Sequence, residues 1–312
     1  MNLLKAILLK VGSAFVFAVM SVLVRWLGER FPVGQIVFFR SVFAILPVII
    51  IYAWRNELIT AVRTARLRGH LGRGMVSIGG MFFNFSALAR LPLVDATAIQ
   101  FSAPLMTVAL AAVFLKERVR AYRWWAVIVG FGGIVVMLAP HFDPKHYATS
   151  AMSATTFGIV FALAGAVCNA GAVIQTRRLT ESETTSSIVF YFSLICALAG
   201  LATWPLGKLV PSWEIEWLVP DRMHLVALIA TGLCGGLAHI LLTESYRWAP
   251  ASVIAPFDYT TMLWAFVLGF LVFGEVPTIF VFVGAGIIAG SGLFVIWRER
   301  RLRMQRLRGG GG

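Results

Sequence analysis

The sequence predicts an all-α membrane protein of ten transmembrane helices, arranged as two five-helix, inverted-topology repeats around a central cavity. Composition is the first reason: of 312 residues, 59% are hydrophobic and 13% charged, with a mean hydropathy of +0.84. A soluble domain carries about a quarter charged residues. The second reason is a succession of apolar runs of about 20 residues, the length that crosses a bilayer. The third is a duplication. Pro92 is followed 25 positions later by Glu117, and the same pair returns as Pro250 and Glu275 at an offset of 158 residues, about half the chain.

The spans follow in order. Lys5 and Lys10 precede an apolar run with no small-residue cleavage pattern, so 4–25 is expected to be a first span and not a removed signal. Span two is expected at 34–54 and contains Arg40. This cation is expected to snorkel toward the outer surface or to pair with Asp95, a substrate carboxylate being the other reading. Span three, 73–90, contains GGMFFNFSALAR, whose glycines permit close helix approach. Span four, 92–115, is interrupted by Pro104, and span five is placed at 122–139. Pro140 to Ser153 then joins the halves; its His141 and His146 lack a third ligand at suitable spacing, so a solvated linker is expected and no metal site.

The second half runs through spans at 154–176, 186–206, 223–246, 250–273 and 277–297. Between the seventh and eighth spans, Trp204, Trp213 and Trp217 read as interfacial anchors. Pro256 interrupts the ninth span. It does not match Pro104 under the repeat, which places Met262 there. The domain reading is therefore 1–148 for the first repeat, 149–297 for the second and 298–312 for a basic cytoplasmic tail that lies on anionic lipid. Cys168, Cys196 and Cys234 fall at wide spacing inside spans and are expected to be free thiols.

Charge orients the chain. With the N-terminus inside, inner segments hold 20 lysines and arginines, Lys10 and Arg73 among them, and outer segments hold 6. Both termini are thus expected in the cytoplasm. The net charge of +13 is accounted for by clusters that adjoin span ends, so a nucleic-acid partner is not expected. Five helices per half is an odd number, which sends the second unit into the membrane from the opposite side. Repeats of that kind enclose a substrate path and alternate access to it.

Polar residues within spans are the candidate path, because hydrocarbon penalises them. Gln100 and its repeat partner Asp258 fall near mid-depth, next to the equivalent aromatics Phe101 and Tyr259. Asn84, Asn169 and His239 are further intrusions, with Phe83 and Met20 completing the expected substrate lining. Pro104 and Pro256 are the gating or hinge candidates, since each removes a backbone hydrogen bond. Asp258 and His239 are the mid-membrane candidates for proton coupling. Neither H-E-x-x-H, G-x-S-x-G nor a Walker-A pattern occurs, so an enzyme, a cofactor and primary active transport are not expected.

Three stretches carry a resemblance: RSVFAILP (Arg40 to Pro47), ALARLPLVDATAIQFSAPLMTVALAAVFLKE (Ala87 to Glu117) and ESYRWAPASVIAPFDYTTMLWAFVLGFLVFGE (Glu244 to Glu275). They resemble the drug/metabolite transporter superfamily, specifically its EamA-type ten-helix members. The resemblance implies a central cavity lined by the first, third, fourth, sixth, eighth and ninth helices, in a bacterial inner membrane, working without ATP hydrolysis. Members of this kind include exporters of amino acids and carriers of riboflavin and S-adenosylmethionine. One departure is the basic stretch Arg118, Arg120 and Arg123 after Glu117, which has no counterpart after Glu275; opposite orientation of the two repeats accounts for it.

The expected function is export of amino acids or similar small metabolites by alternating access. The alternative is import of a cofactor-like metabolite such as riboflavin or S-adenosylmethionine, and a channel or structural membrane protein is the reading of another class. Aromatic residues of the lining (Phe83, Phe85, Phe101, Tyr259, Trp264) and scarce fixed charge favour a neutral or amphipathic cargo. Membrane lipid is the remaining expected partner.

Overall fold

The computed structural model describes residues 3–54, 64, 66–114, 121–139, 150–179, 182–209, 216–249 and 255–309. Each of the ten expected spans contains helix among these residues. The elements are α1 (Leu3–Gly28), α2 (Val33–Trp54), α3 (Leu67–Leu88), α4 (Leu93–Gln100), α5 (Ala103–Phe114), α6 (Ala121–Leu138), α7 (Ser150–Leu179), α8 (Thr185–Leu209), α9 (Arg222–Trp248), a 3-10 turn (Ala255–Tyr259), α10 (Thr260–Phe273) and α11 (Ile279–Gly309). The linker histidines His141 and His146, Trp213, Pro250 and Glu117 lie outside the described residues.

Seven stretches are apolar and long enough to cross a bilayer, and Ala121–Met137 and Phe257–Phe273 are apolar but shorter. Helix α3 is not among them, because it starts earlier than expected and brings Arg68, His70 and Arg73 into its first turns. It is held by partners instead. His70 meets Glu183 at 3.5 Å with both side chains buried, and Arg73 donates from Nε to Thr176 (2.7 Å) and from Nη1 to the Ile188 carbonyl (3.0 Å). Arg73, expected in an inner loop, is therefore inside the bundle.

Packing shows the two-repeat fold. The main neighbours are α1 with α9, α3 with α7, α6 with α11, and α2 with α8 and α9. Exchanging the first five spans for the second five converts the α1–α9 pair into the α7–α3 pair. The α2–α8 and α6–α11 pairs map onto themselves. The core at the centre of this arrangement includes Val24, Leu27, Met81, Ala98, Ile99, Ala162, Leu228 and Ala265. The connection before α9 is fastened by Gln35, whose Nε2 donates to the Leu218 carbonyl (2.8 Å) and whose Oε1 accepts from the Leu218 amide (3.1 Å), and by Trp217 Nε1, which donates to Thr203 Oγ1 (2.9 Å). Asp221 then caps α9 by accepting from the His224 amide, and its carboxyl is held below the usual range by the His224 side chain and then by that amide.

Candidate functional site

Spans four and nine both depart from regular α-helix at equivalent places, span four at a two-residue turn and span nine at a 3-10 segment that runs directly into α-helix. Helix α4 ends at Gln100, Phe101 and Ser102 form a turn, and α5 begins at Ala103. In the ninth span the 3-10 turn ends at Tyr259 and α10 begins at Thr260. Under the repeat offset Phe101 corresponds to Tyr259 and Ser102 to Thr260, so the breaks coincide even though the prolines do not. Pro104 lacks the N–H that would bond back to Gln100, and the ring opposes a continuous helix. Pro256 sits early in the 3-10 turn. Whether either proline moves is a separate matter from the break itself, which is part of the fold.

The breaks turn side chains into a cavity of about 490 Å3, lined by Thr97, Gln100, Phe101, Pro104, Asp258 and Tyr259, with Gly292, Val295 and Ile296 from α11. Phe101 and Tyr259 stack with ring centroids 5.1 Å apart at 26°. The Tyr259 hydroxyl lies against Gly292, where any Cβ would collide with it. This cavity draws on the fourth, ninth and tenth spans, and the expected lining had no tenth-span residues. Of the expected residues it gathers Gln100, Phe101, Pro104, Asp258 and Tyr259, and it does not include Met20, Phe83, Asn84, Asn169 or His239.

Those five lie on other contacts. Asn84 packs its Oδ1 on Gly165 and has no hydrogen-bond partner for that atom, while Asn169 Oδ1 would come 2.9 Å from a Cβ on Gly80. Both therefore belong to the α3–α7 seam, where glycine lets the backbones approach. Phe83 stacks on Phe161 of α7 at 5.9 Å. Met20 and His239 belong to a third group around Arg40: Arg40 Nη2 lies 3.5 Å from His239 Nε2, Phe17 meets the His239 ring edge-on at 5.1 Å, and a Cβ on Gly235 would lie 3.2 Å from both Met20 Sδ and Arg40 Nε. Arginine has only donors, so in this contact His239 Nε2 is the acceptor.

Two expectations about charge are corrected here. Arg40 does not snorkel, being 4% exposed, and its neighbours are His239 and Cys196, not Asp95. The helix is too deep in the bundle at residue 40 for the side chain to reach an outer surface. Lys10 does not belong to an inner segment either; it is 2% exposed and pairs with Asp258 at 2.5 Å. A lysine about two turns into an apolar helix needs such a partner, because burying a lone charge is costly. Asp258, the proposed proton carrier, thus has a fixed cation beside it.

A second ion pair, between Arg25 and Glu275, closes the opposite end of α1. Its geometry begins in the turn after α10. Gly274 adopts φ 66°, and the amides of Gly274 and Glu275 bond back to Phe270 and Gly269, a left-handed ending that glycine accommodates without strain. That turn aims Glu275 across the bundle, where Oε2 accepts from the Leu93 amide at 2.9 Å. Leu93 opens α4, so one carboxylate joins the ends of spans one and nine and satisfies an amide at the start of span four. The duplicated proline–glutamate interval pointed to this residue, but only as a marker of a span end.

Comparison with known proteins now bears on the whole arrangement. The model of the EamA-like transporter family matches residues 4–139 and again 156–297. The chain belongs to the EamA-like transporter family. Full-length relatives carry transporter names: an S-adenosylmethionine uptake transporter of Rickettsia bellii is 28% identical over 92% of this chain and 91% of its own length. A pseudopaline exporter of Pseudomonas aeruginosa is 29% identical over 92% and 95%, and a riboflavin transporter of Brucella anthropi 26% identical over 93% and 97%. A crystal structure of 18% identity superimposes with a TM-score of 0.64 over 95% of this chain and 98% of that one, which speaks to fold alone. This EamA-like protein is therefore a multi-pass membrane transporter and not an enzyme.

Proposed function

We propose that this EamA-like transporter is a secondary carrier of the bacterial inner membrane that exports amino acids or similar small metabolites by alternating access. The observation that carries the reading is the coincidence of the two helix breaks with a cavity holding Gln100, Phe101, Asp258 and Tyr259. Broken helices at a repeat interface offer unpaired backbone groups and polar side chains where a cargo can bind. The two ion pairs of α1, Lys10–Asp258 and Arg25–Glu275, tie it to the cavity and to the far end of the ninth span. They are natural closures for a path that opens on one side at a time. The repeats enter the membrane in opposite directions in this reading, with domain limits at 1–148 and 149–297.

Uptake of a cofactor-like metabolite is the second reading, favoured by the Rickettsia relative, an S-adenosylmethionine uptake transporter, with the Brucella riboflavin transporter as a further relative whose cargo is cofactor-like. Counterflow in liposomes decides between them. Purified protein should exchange labelled amino acids with saturation; saturable exchange of riboflavin or S-adenosylmethionine in their place selects the second reading, and an unsaturable leak supports a channel. In the same assay Gln100→Ala and Tyr259→Ala should each lower flux severalfold at unchanged yield. Unchanged kinetics in both would remove the cavity from the path. Running the exchange with and without a pH gradient tests proton coupling. Reporter fusions at either end should place both termini in the cytoplasm, and an external C-terminus would break the ten-span topology.

A further inference from the structure

We propose that Arg40 is the recognition point for a carboxylate on the transported molecule, so that the cargo is an amino-acid-like or otherwise carboxylate-bearing metabolite. The inference rests on the transport reading and adds a charge requirement to it. It narrows the expectation of a neutral or amphipathic cargo, which assumed that the interior holds little fixed charge, to one that carries a carboxylate.

Arg40 is a buried cation with open valences. Its side chain is almost wholly enclosed, yet among the described residues Nε and Nη1 have no hydrogen-bond partner and Nη2 has the 3.5 Å contact to His239. A guanidinium stays charged in a protein, and burying it without an opposite charge is costly. The other cations that α1 places inside the bundle meet acids, Lys10 with Asp258 and Arg25 with Glu275. Among the described residues the polar groups beside Arg40 are the His239 ring and the Cys196 thiol, neither of them an anion.

A second cation sharpens the imbalance. The Phe192 ring lies 5.6 Å from the Arg40 guanidinium and 5.0 Å from that of Arg73. Arg73 is anchored on the neutral acceptors Thr176 and Ile188, so it adds positive potential to the cluster without cancelling any. An anion entering here finds two guanidiniums and an aromatic surface.

Geometry favours a carboxylate over a point anion. The His239 contact on Nη2 is long and so exchangeable, and a carboxylate that takes Nη2 can reach Nη1 or Nε with its second oxygen. The neighbouring His239 ring is itself only partly buried. Phe17 and Phe192 flank that ring, where the apolar part of a cargo can pack.

The test uses matched pairs of probes: L-phenylalanine against L-phenylalaninamide and L-methionine against L-methioninamide. At saturating concentration at least one acid should raise the melting temperature of the wild-type protein by several degrees more than its amide does. In Arg40→Gln that preference should vanish, and Arg40→Lys should keep part of it. Equal shifts by acid and amide in the wild type overturn the proposal, as does an Arg40→Gln protein that retains the preference. The wild-type comparison decides alone if Arg40→Gln does not fold. Riboflavin, which has no carboxylate, separates the two levels of the reading. Saturable riboflavin counterflow without any acid preference keeps the transporter and removes this role for Arg40; absence of flux for every probe removes the transporter reading itself.

Discussion

Gly284→Leu should leave no monodisperse protein after extraction, while Gly286→Ala on the same helix should behave as wild type. Gly284 of α11 faces Gly133 of α6, and a Cβ at residue 284 would lie 2.8 Å from Met137 Cβ and closer still to the Gly133 carbonyl oxygen. The reverse contact is equally tight, with 2.7 Å from a Cβ on Gly133 to the Gly284 carbonyl oxygen. Backbone cannot step aside as a flexible side chain can. Overpacking of a well-filled core costs about 1–3 kcal/mol, and a leucine between two helix backbones belongs at or above the top of that range. Around Gly286 nothing lies within 4 Å of the added atom, which makes it the matched control. Size-exclusion profiles of the two variants are the measurement; equal profiles would mean that α6 and α11 do not meet as described.

Glu275→Ala should produce the largest change in the balance between conformations. The substitution strips Arg25 of its counter-charge and the Leu93 amide of its acceptor. Removing one partner of a buried pair costs about 3–5 kcal/mol, and partial exposure of these side chains, 18% and 13%, argues for the lower end or somewhat less. A loss of about 2–3 kcal/mol from one state shifts a two-state balance by more than tenfold. Glu275→Gln should be milder, since its amide oxygen still accepts from Leu93 and only the charge is lost. Melting temperature and counterflow rate should therefore order as wild type, then Gln, then Ala. Equal effects of Gln and Ala would show that the amide contact contributes nothing, and no effect of either would remove the closure at this end of α1.

The comparison of sequence with structure turns on single residues. The span assignments agree with the helices because hydropathy accumulates over some 20 neighbours and tolerates a few polar intrusions. Helix α3 shows the limit of that signal: Arg68, His70 and Arg73 make it too polar by composition, and Glu183, Thr176 and the Ile188 carbonyl hold it in place from other helices. Lys10 was legible as a cation near an inner end and not as the partner of Asp258. Arg40 was legible as the exception within a span, but its neighbours were not. The pairing of Gln100–Phe101 with Asp258–Tyr259 was visible through the repeat, and the structure does bring them to one cavity. Asn84 and Asn169 were read as lining by the same argument, and the structure places their amide oxygens against Gly165 and Gly80 at the α3–α7 seam, a placement that polarity within a span does not reveal.

Length, apolar runs, loop charge and an internal offset thus determined the class of protein, the places of its spans and the existence of two related halves. Each is a property that the chain carries locally or repeats along itself. Tertiary structure alone decided which charges are neutralised: Lys10 by Asp258, Arg25 by Glu275, and Arg40 by no described carboxylate. Such pairings depend on helices far apart in sequence meeting at a common depth and rotation, and hydropathy is blind to both.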